Sequence, residues 1–130
     1  MFKTGNDFTV QNGYGETKLL LGARNRPTAL FAQSNTIALG AYKAIREAGL
    51  TIPDDISLIG FDNYMHMDFI DPPLARIAQP IDEMGVLAVK ILIRHMENKE
   101  EPASQILLSP SLIAGKSVRI ITEETTIPRP

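Results

Sequence analysis

Thr51-Ile52-Pro53-Asp54-Asp55-Ile56-Ser57-Leu58-Ile59-Gly60-Phe61-Asp62-Asn63 is the stretch that decides the fold. Pro53 and the two aspartates close a turn. Ile56 to Phe61 is then a short apolar run interrupted only by Ser57, which suits a strand covered on both faces. Ligands of open parallel sheets bind just beyond the carboxyl ends of the strands, where this strand releases Asp62 and Asn63. Those two residues are the first candidates for function, although an Asp after a strand also serves simply to open the next turn.

Upstream, Thr28-Ala29-Leu30-Phe31-Ala32 is a second apolar strand that likewise ends on polar residues, Gln33-Ser34-Asn35. Between the two strands, Ile37, Ala38, Ala41, Ala44, Ile45 and Ala48 recur on one helical face. Ser34 or Asn35 stands as the N-cap, and Gly49 takes the left-handed C-terminal position. Strand, helix and strand with short connections make a βαβ crossover and a parallel sheet. An earlier helix over about Val10 to Leu21 is capped by Asp7 or Thr9, and its Gly13 and Gly15 invite close packing.

Downstream, Tyr64 to Ile70 is apolar without a clean period, a short helix or an exposed loop. Its large side chains suit either a partner surface or a cap on the domain's own core. Leu74 to Gln79 is a third strand, and Pro80 ends it. A helix then starts at Ile81-Asp82-Glu83, with Met84, Leu87 or Ala88, Ile91, Leu92, His95 and Met96 as its apolar positions. Ile106-Leu108, Ser111-Ala114 and Ser117-Ile120 are three short strand pieces, and 122–130 reads as a polar tail.

At 130 residues, 44% hydrophobic and 22% charged, the chain has the size and composition of one ordinary globular domain. A net charge of −2 speaks against this piece gripping a nucleic-acid backbone. With no cysteine there is no disulfide, thiolate nucleophile or Cys-ligated metal, and the residues contain no export signal or membrane anchor. The expectation is a cytoplasmic protein without cofactor. His66 and His95 are too far apart in sequence for a metal-spaced pair, so no metal site is expected. No P-loop, GxGxxG fingerprint or nucleophile elbow is present. A phospho-acceptor role for Asp62 would need companion carboxylates and a positioned Lys, and Asp54 and Asp55 lie at the wrong end of the strand. Binding without reaction remains. Phe8, Ser34, Asn35, Asp62, Asn63 and Gln79 all fall after strands or before helices on one edge of the sheet. An aromatic face beside carboxylate, amide and hydroxyl groups suits a polyhydroxylated ring.

Several segments together carry a family resemblance: Pro27 to Ala32, Ala38-Leu39-Gly40-Ala41 through Leu50, Ile52 to Asn63, Pro72-Pro73-Leu74, Gln79-Pro80, Gly85 and Lys116 to Arg119. Over about Gly5 to Arg119 the chain resembles the effector-binding region of the lactose/galactose (LacI/GalR-type) repressors, bacterial transcription regulators. The resemblance implies an α/β, periplasmic-binding-protein-like fold, of which this chain holds part of the C-terminal subdomain, with a parallel sheet and flanking helices. It implies a non-enzymatic sensor of a small effector, a sugar or a purine-like molecule, coupled to DNA through a headpiece that this chain lacks. A periplasmic sugar-binding protein of the same fold is the rival reading.

By the same resemblance, Phe8 stacks on the effector, Ser34 faces it, Asp62 holds it and Gln79 stands at the crossover between subdomains. Family members usually carry Asp where this chain has Asn35, which removes an acid from the pocket edge. Residues 1–79 correspond to the C-terminal subdomain, 80–104 to a helix that belongs to the N-terminal subdomain in the parent, and 105–121 to returning strands. The parent is expected to be a homodimer, with Tyr14, Met65, Met67, Phe69 and Ile70 as candidates for its surface. Exposing the stripe of the 81–97 helix would be costly at about 25 cal/mol per Å² of apolar area. The isolated chain is therefore expected to fold that helix onto its own sheet or bury it against another copy.

Overall fold

The computed structural model describes residues 7–63, 65–98, 102 and 105–121, with Met65 and His66 described in their backbone only. The 122–130 tail lies outside the described residues. Helix α1, Val10–Leu21, opens on Thr9, whose hydroxyl accepts from the Asn12 amide at 3.1 Å. Asp7 supports that cap, since Thr9 Oγ1 donates to its carboxylate at 2.6 Å. Helix α2, Asn35–Glu47, opens on Ser34, and Gly49 beyond its end has φ 72°. Strands β1 (Ala29–Phe31), β2 (Ser57–Phe61) and β3 (Ala75–Ala78) are parallel, and β4 (Ser111–Ile113) runs antiparallel to β3 at the edge. The spatial order is the chain order, β1-β2-β3-β4. Helix α3 (Ile81–Glu97) leaves the sheet after β3 and the chain returns at β4.

The core lies between α2 and the sheet. Ala38, Ala41 and Ile45 of α2 meet Leu58 of β2, with Ile52, Ile56, Leu74 and Met67 closing the sides. Met67 is completely buried in this cluster, which corrects its assignment to a dimer surface. The turn of 3₁₀ helix over Met65–Asp68 points its sulfur side chain inward to fill an irregular gap beside small alanines. Helix α1 packs on α2 at a close crossing. A methyl group on Gly13 would stand 2.5 Å from Ile37 O, and one on Gly40 would stand 2.5 Å from the Tyr14 amide nitrogen. Gly13 therefore has the packing role expected of it; Gly15 does not, with nothing within 4 Å, and its counterpart in the crossing is Gly40.

Only one of the three expected late strands forms. Ile106–Leu108 has no regular structure, and the chain around Ser117 instead stitches the amino-terminal ends of β2 and β3 together. Ser117 Oγ accepts from the Ala75 amide at 2.8 Å and donates to Leu58 O at 2.6 Å, while its own carbonyl accepts from the Leu58 amide. Leu58 precedes the β2–β3 ladder and Ala75 stands at its first pair with Ile59, so Ser117 joins the two strands where the ladder begins.

One further expectation is not met, and of the two alternatives for α3 the first is not adopted. Among the described residues strand β2 is covered on one face only: Leu58 and Gly60 point to α2 and are buried, whereas Ile59 and Phe61 point to a face that none of the described helices covers. Residues paired across strands share a face, so Phe31, Ile59, Phe61, Ile77 and Leu112 together form an apolar surface, with Phe31 55% and Leu112 65% exposed. Phe31 and Phe61 meet edge-to-face there, their ring centres 6.4 Å apart. Helix α3 does not fold back onto this sheet. None of its residues is buried, and Leu92 is 60% exposed.

Candidate functional site

Helix N-termini and strand C-termini of the βαβ unit converge on one edge of the sheet. Ser34 and Asn35 follow β1, Asp62 and Asn63 follow β2, and Gln79 follows β3. Asp62 turns the chain at φ 84°, an uncommon conformation for a residue with a Cβ. Its amide donates to Ile77 O at 2.9 Å, and its Oδ1 accepts from Gln79 Nε2, also at 2.9 Å. Tertiary contacts thus hold a strained backbone that aims a half-buried carboxylate along the edge, leaving Asp62 Oδ2 outside that bond.

The α2 N-terminus forms the adjoining wall. Ser34 Oγ accepts from the Ile37 amide at 3.2 Å and lies 3.0 Å from Thr36 Oγ1, so its hydroxyl serves first as the helix cap. Thr36 Oγ1 in turn donates to the carbonyl of Phe8, which fixes the Phe8 backbone against the start of α2. The Phe8 ring itself is 66% exposed. Asn35 Oδ1 is buried without a hydrogen-bond partner.

Of the six expected binding residues, the structure brings Asp62 into contact with Gln79 and places Phe8 beside the Ser34–Thr36 turn. Asn63 is occupied elsewhere. Its Oδ1 accepts from Arg76 Nε at 3.3 Å and from Nη2 at 3.2 Å. Arg76 is a residue that the sequence reading passed over. It is 3% exposed, on the α2 side of β3, where it also donates to Asp68 Oδ1 at 2.9 Å, to Asp68 Oδ2 at 3.3 Å and to Leu74 O at 3.3 Å. The signal was present: an arginine inside Ala75-Arg76-Ile77-Ala78 has to be paired if that run is a covered strand. Arg76 ties the segment after Asp62 to the 3₁₀ turn, so it acts on the site through backbone position.

Among the dimer candidates, Phe69 is 83% exposed and Ile70 packs on the edge of the core. Tyr14 lies along the α1–α2 seam, donating to Glu47 Oε2 at 2.6 Å, with the Lys18 and Lys43 ammonium groups over its ring. The Met65 side chain lies outside the described residues. No group of His, Asp and Glu suited to a metal ion occurs among the described residues, and none of the described helices is long and apolar enough to cross a membrane.

The three parallel strands thus gather their polar groups at one carboxyl edge. Residues 2–118 match the periplasmic binding protein-like domain, and the chain belongs to that family. It is homologous to bacterial transcriptional repressors, as the repressor resemblance led one to expect. It is 39% identical over 111 residues to the ribose operon repressor of Haemophilus influenzae, covering 85% of this chain and 33% of that protein. It is 38% identical over 112 residues to the HTH-type transcriptional repressor PurR of Klebsiella pneumoniae, covering 86% and 33%. The chain therefore spans about a third of the length of these relatives.

Solved structures agree on the fold. A LacI family transcriptional regulator from Enterococcus faecalis with bound ribose superposes with a TM-score of 0.81 at 29% identity, over 89% of this chain and 43% of that one. The lac repressor dimer bound to operator and the anti-inducer ONPF gives 0.78 at 31% identity, over 86% and 39%.

Proposed function

We propose that this chain is the effector-sensing part of a bacterial transcriptional repressor, cytoplasmic and non-enzymatic, whose C-terminal half-cleft takes a small polyhydroxylated molecule, a sugar or a purine-like compound. The observation that carries this reading is Asp62, held at a positive φ and oriented by Gln79, with the free acceptor of Asn35 and the exposed Phe8 ring on the same edge. A carboxylate bridging two ring hydroxyls while an aromatic face covers the C–H side is a general way of recognising such rings. Relatives described as a ribose operon repressor and as a regulator with bound ribose support a pentose as the first compound to test.

In the full-length protein, α3 belongs to the opposing N-terminal subdomain, so that the crossover at Gln79-Pro80 joins both walls of the cleft. Effector binding closes the two subdomains and alters the spacing of DNA-binding heads in a homodimer, with Phe69 on the dimer surface. The test is ribose titration by calorimetry of the full-length protein and its Asp62→Ala variant. Loss of a charge-assisted hydrogen bond should weaken binding by about 1.5–3 kcal/mol, roughly 10- to 150-fold. Unchanged affinity overturns the site assignment, and failure to bind any pentose, hexose or purine overturns the sensing role.

A further inference from the structure

One buried cation reaches both ends of the loop that leaves β2. The Arg76 guanidinium has five N–H donors, and all are used: Nε and Nη2 on Asn63 Oδ1, Nη1 and Nη2 on the two oxygens of Asp68, and Nη1 again on Leu74 O. With every donor engaged, Arg76 is not itself a binding group. It is buried, whereas Asn63 and Asp68 are exposed. Both acceptors can turn to water, but their departure would strand a cation that water does not reach. The arginine therefore holds the loop to itself.

We propose that Arg76 is a positioning residue that couples the half-cleft to the exposed surface at Phe69. Asn63 adjoins Asp62, the carboxylate assigned to the effector, and Asp68 adjoins Phe69. The inference rests on that assignment of Asp62. Through the planar guanidinium the two loop positions are joined by a pair of hydrogen bonds on each side, which fix direction as well as distance. The covalent path from residue 63 to residue 68 is looser, with two soft dihedrals at each residue.

The rest of the loop is anchored in a way that leaves this link in control. Met67 is buried in the core, and the Asp71 carbonyl accepts from the Tyr42 hydroxyl of α2 at 2.8 Å. Asp68 and Phe69 lie between those two fixed points, and Arg76 sets where they stand. At the other end Asp62, at φ 84°, stores strain that a change in its hydrogen bonds can release. A ligand that draws the Asp62 carboxylate away from Gln79 shifts Asn63, and the guanidinium passes that shift to Asp68 and Phe69.

The test uses the full-length protein labelled with 4-fluorophenylalanine, with the Phe69 fluorine resonance identified by its loss in Phe69→Leu. In the wild type, saturation with ribose should shift that resonance. Arg76→Lys and Asp68→Asn should bind ribose within about tenfold of the wild type, yet lose at least about half of the shift at full occupancy. A purely structural role would lower the melting temperature and leave the shift in proportion to bound ribose. Asp68→Asn, at an exposed position, decides the matter where Arg76→Lys does not fold. Should the wild type not take ribose, the fault lies with the effector reading, and the coupling is read from Asp62→Asn, which disturbs the same end without a ligand. Asp62→Asn should move the Phe69 resonance, and should no longer do so when combined with Arg76→Lys or with Asp68→Asn. A resonance that responds equally with and without the Arg76–Asp68 pair overturns the coupling. So does one that stays still when the wild type binds ribose or, where ribose does not bind, in Asp62→Asn.

Discussion

A methyl group added at Gly15 meets nothing within 4 Å, whereas one added at Gly40 meets the backbone of α1. Gly15→Ala is therefore expected to raise stability by about 0.5–1 kcal/mol through helix propensity. Gly40→Ala is expected to lower it by about 3 kcal/mol, because backbone does not yield as a side chain would. Urea denaturation of the two variants checks both signs. Ser117→Ala leaves the Leu58 carbonyl and the Ala75 amide buried without their hydroxyl partner, an expected loss of about 1–3 kcal/mol in the same assay. Asp55 is the residue with a pH signature. Bonds from Thr51, first from its hydroxyl and then from its amide, hold the Asp55 carboxyl below its ordinary range. A depressed folded-state pKa contributes stability that is present above the unfolded value, near 3.9, and is lost as pH falls through the lowered one. Asp55→Asn should flatten that acid-side slope and leave the neutral-pH response to pH unchanged, as followed by thermal melts from pH 2 to pH 7.

Strands and helices were legible where one side of the element determined its pattern. The stripe of Ile37, Ala38, Ala41 and Ile45 placed α2 on the sheet, and the polar pair after Phe61 placed Asp62 at the carboxyl end of β2. Legibility failed where a partner comes from far along the chain. Ser117 meets Leu58 from 59 residues away, and nothing near Ser117 in sequence marks it as a strand-end lock rather than part of a strand. Met67 looked like surface because it lies in a loop, although it fills the gap left by alanines across the core. Arg76 links β3 to the loop that carries the site, through Asn63 and Asp68. Arg76→Leu is expected to cost about 1–3 kcal/mol. It should also speed hydrogen exchange at the Asp62 amide, which donates to Ile77 O, more than at amides within α2. Equal effects at both places would mean a general loosening instead.

At the scale of the molecule, the described residues combine one well-covered sheet face with one bare face and an unburied helix. Much of the apolar surface that unfolding normally exposes is therefore already in contact with solvent in a single copy. The urea m-value of the chain should fall at or below the low end of the ~1–3 kcal/mol/M usual for small proteins. Equilibrium unfolding monitored by circular dichroism measures it.

The pairing of β3 with β4 has a consequence for how the gene could be rewired. Ala78 and Ser111 stand directly opposite each other in the antiparallel ladder, so everything from residue 79 to residue 110 departs from and rejoins the sheet at neighbouring points. That segment is topologically an insertion in a hairpin. Replacing residues 80–109 with a two-residue Asn-Gly turn should yield a miniature of the domain that keeps Gln79, Asp62 and the Ser117 lock. It would be a modular receptor half, ready to accept a different lid at the same splice point.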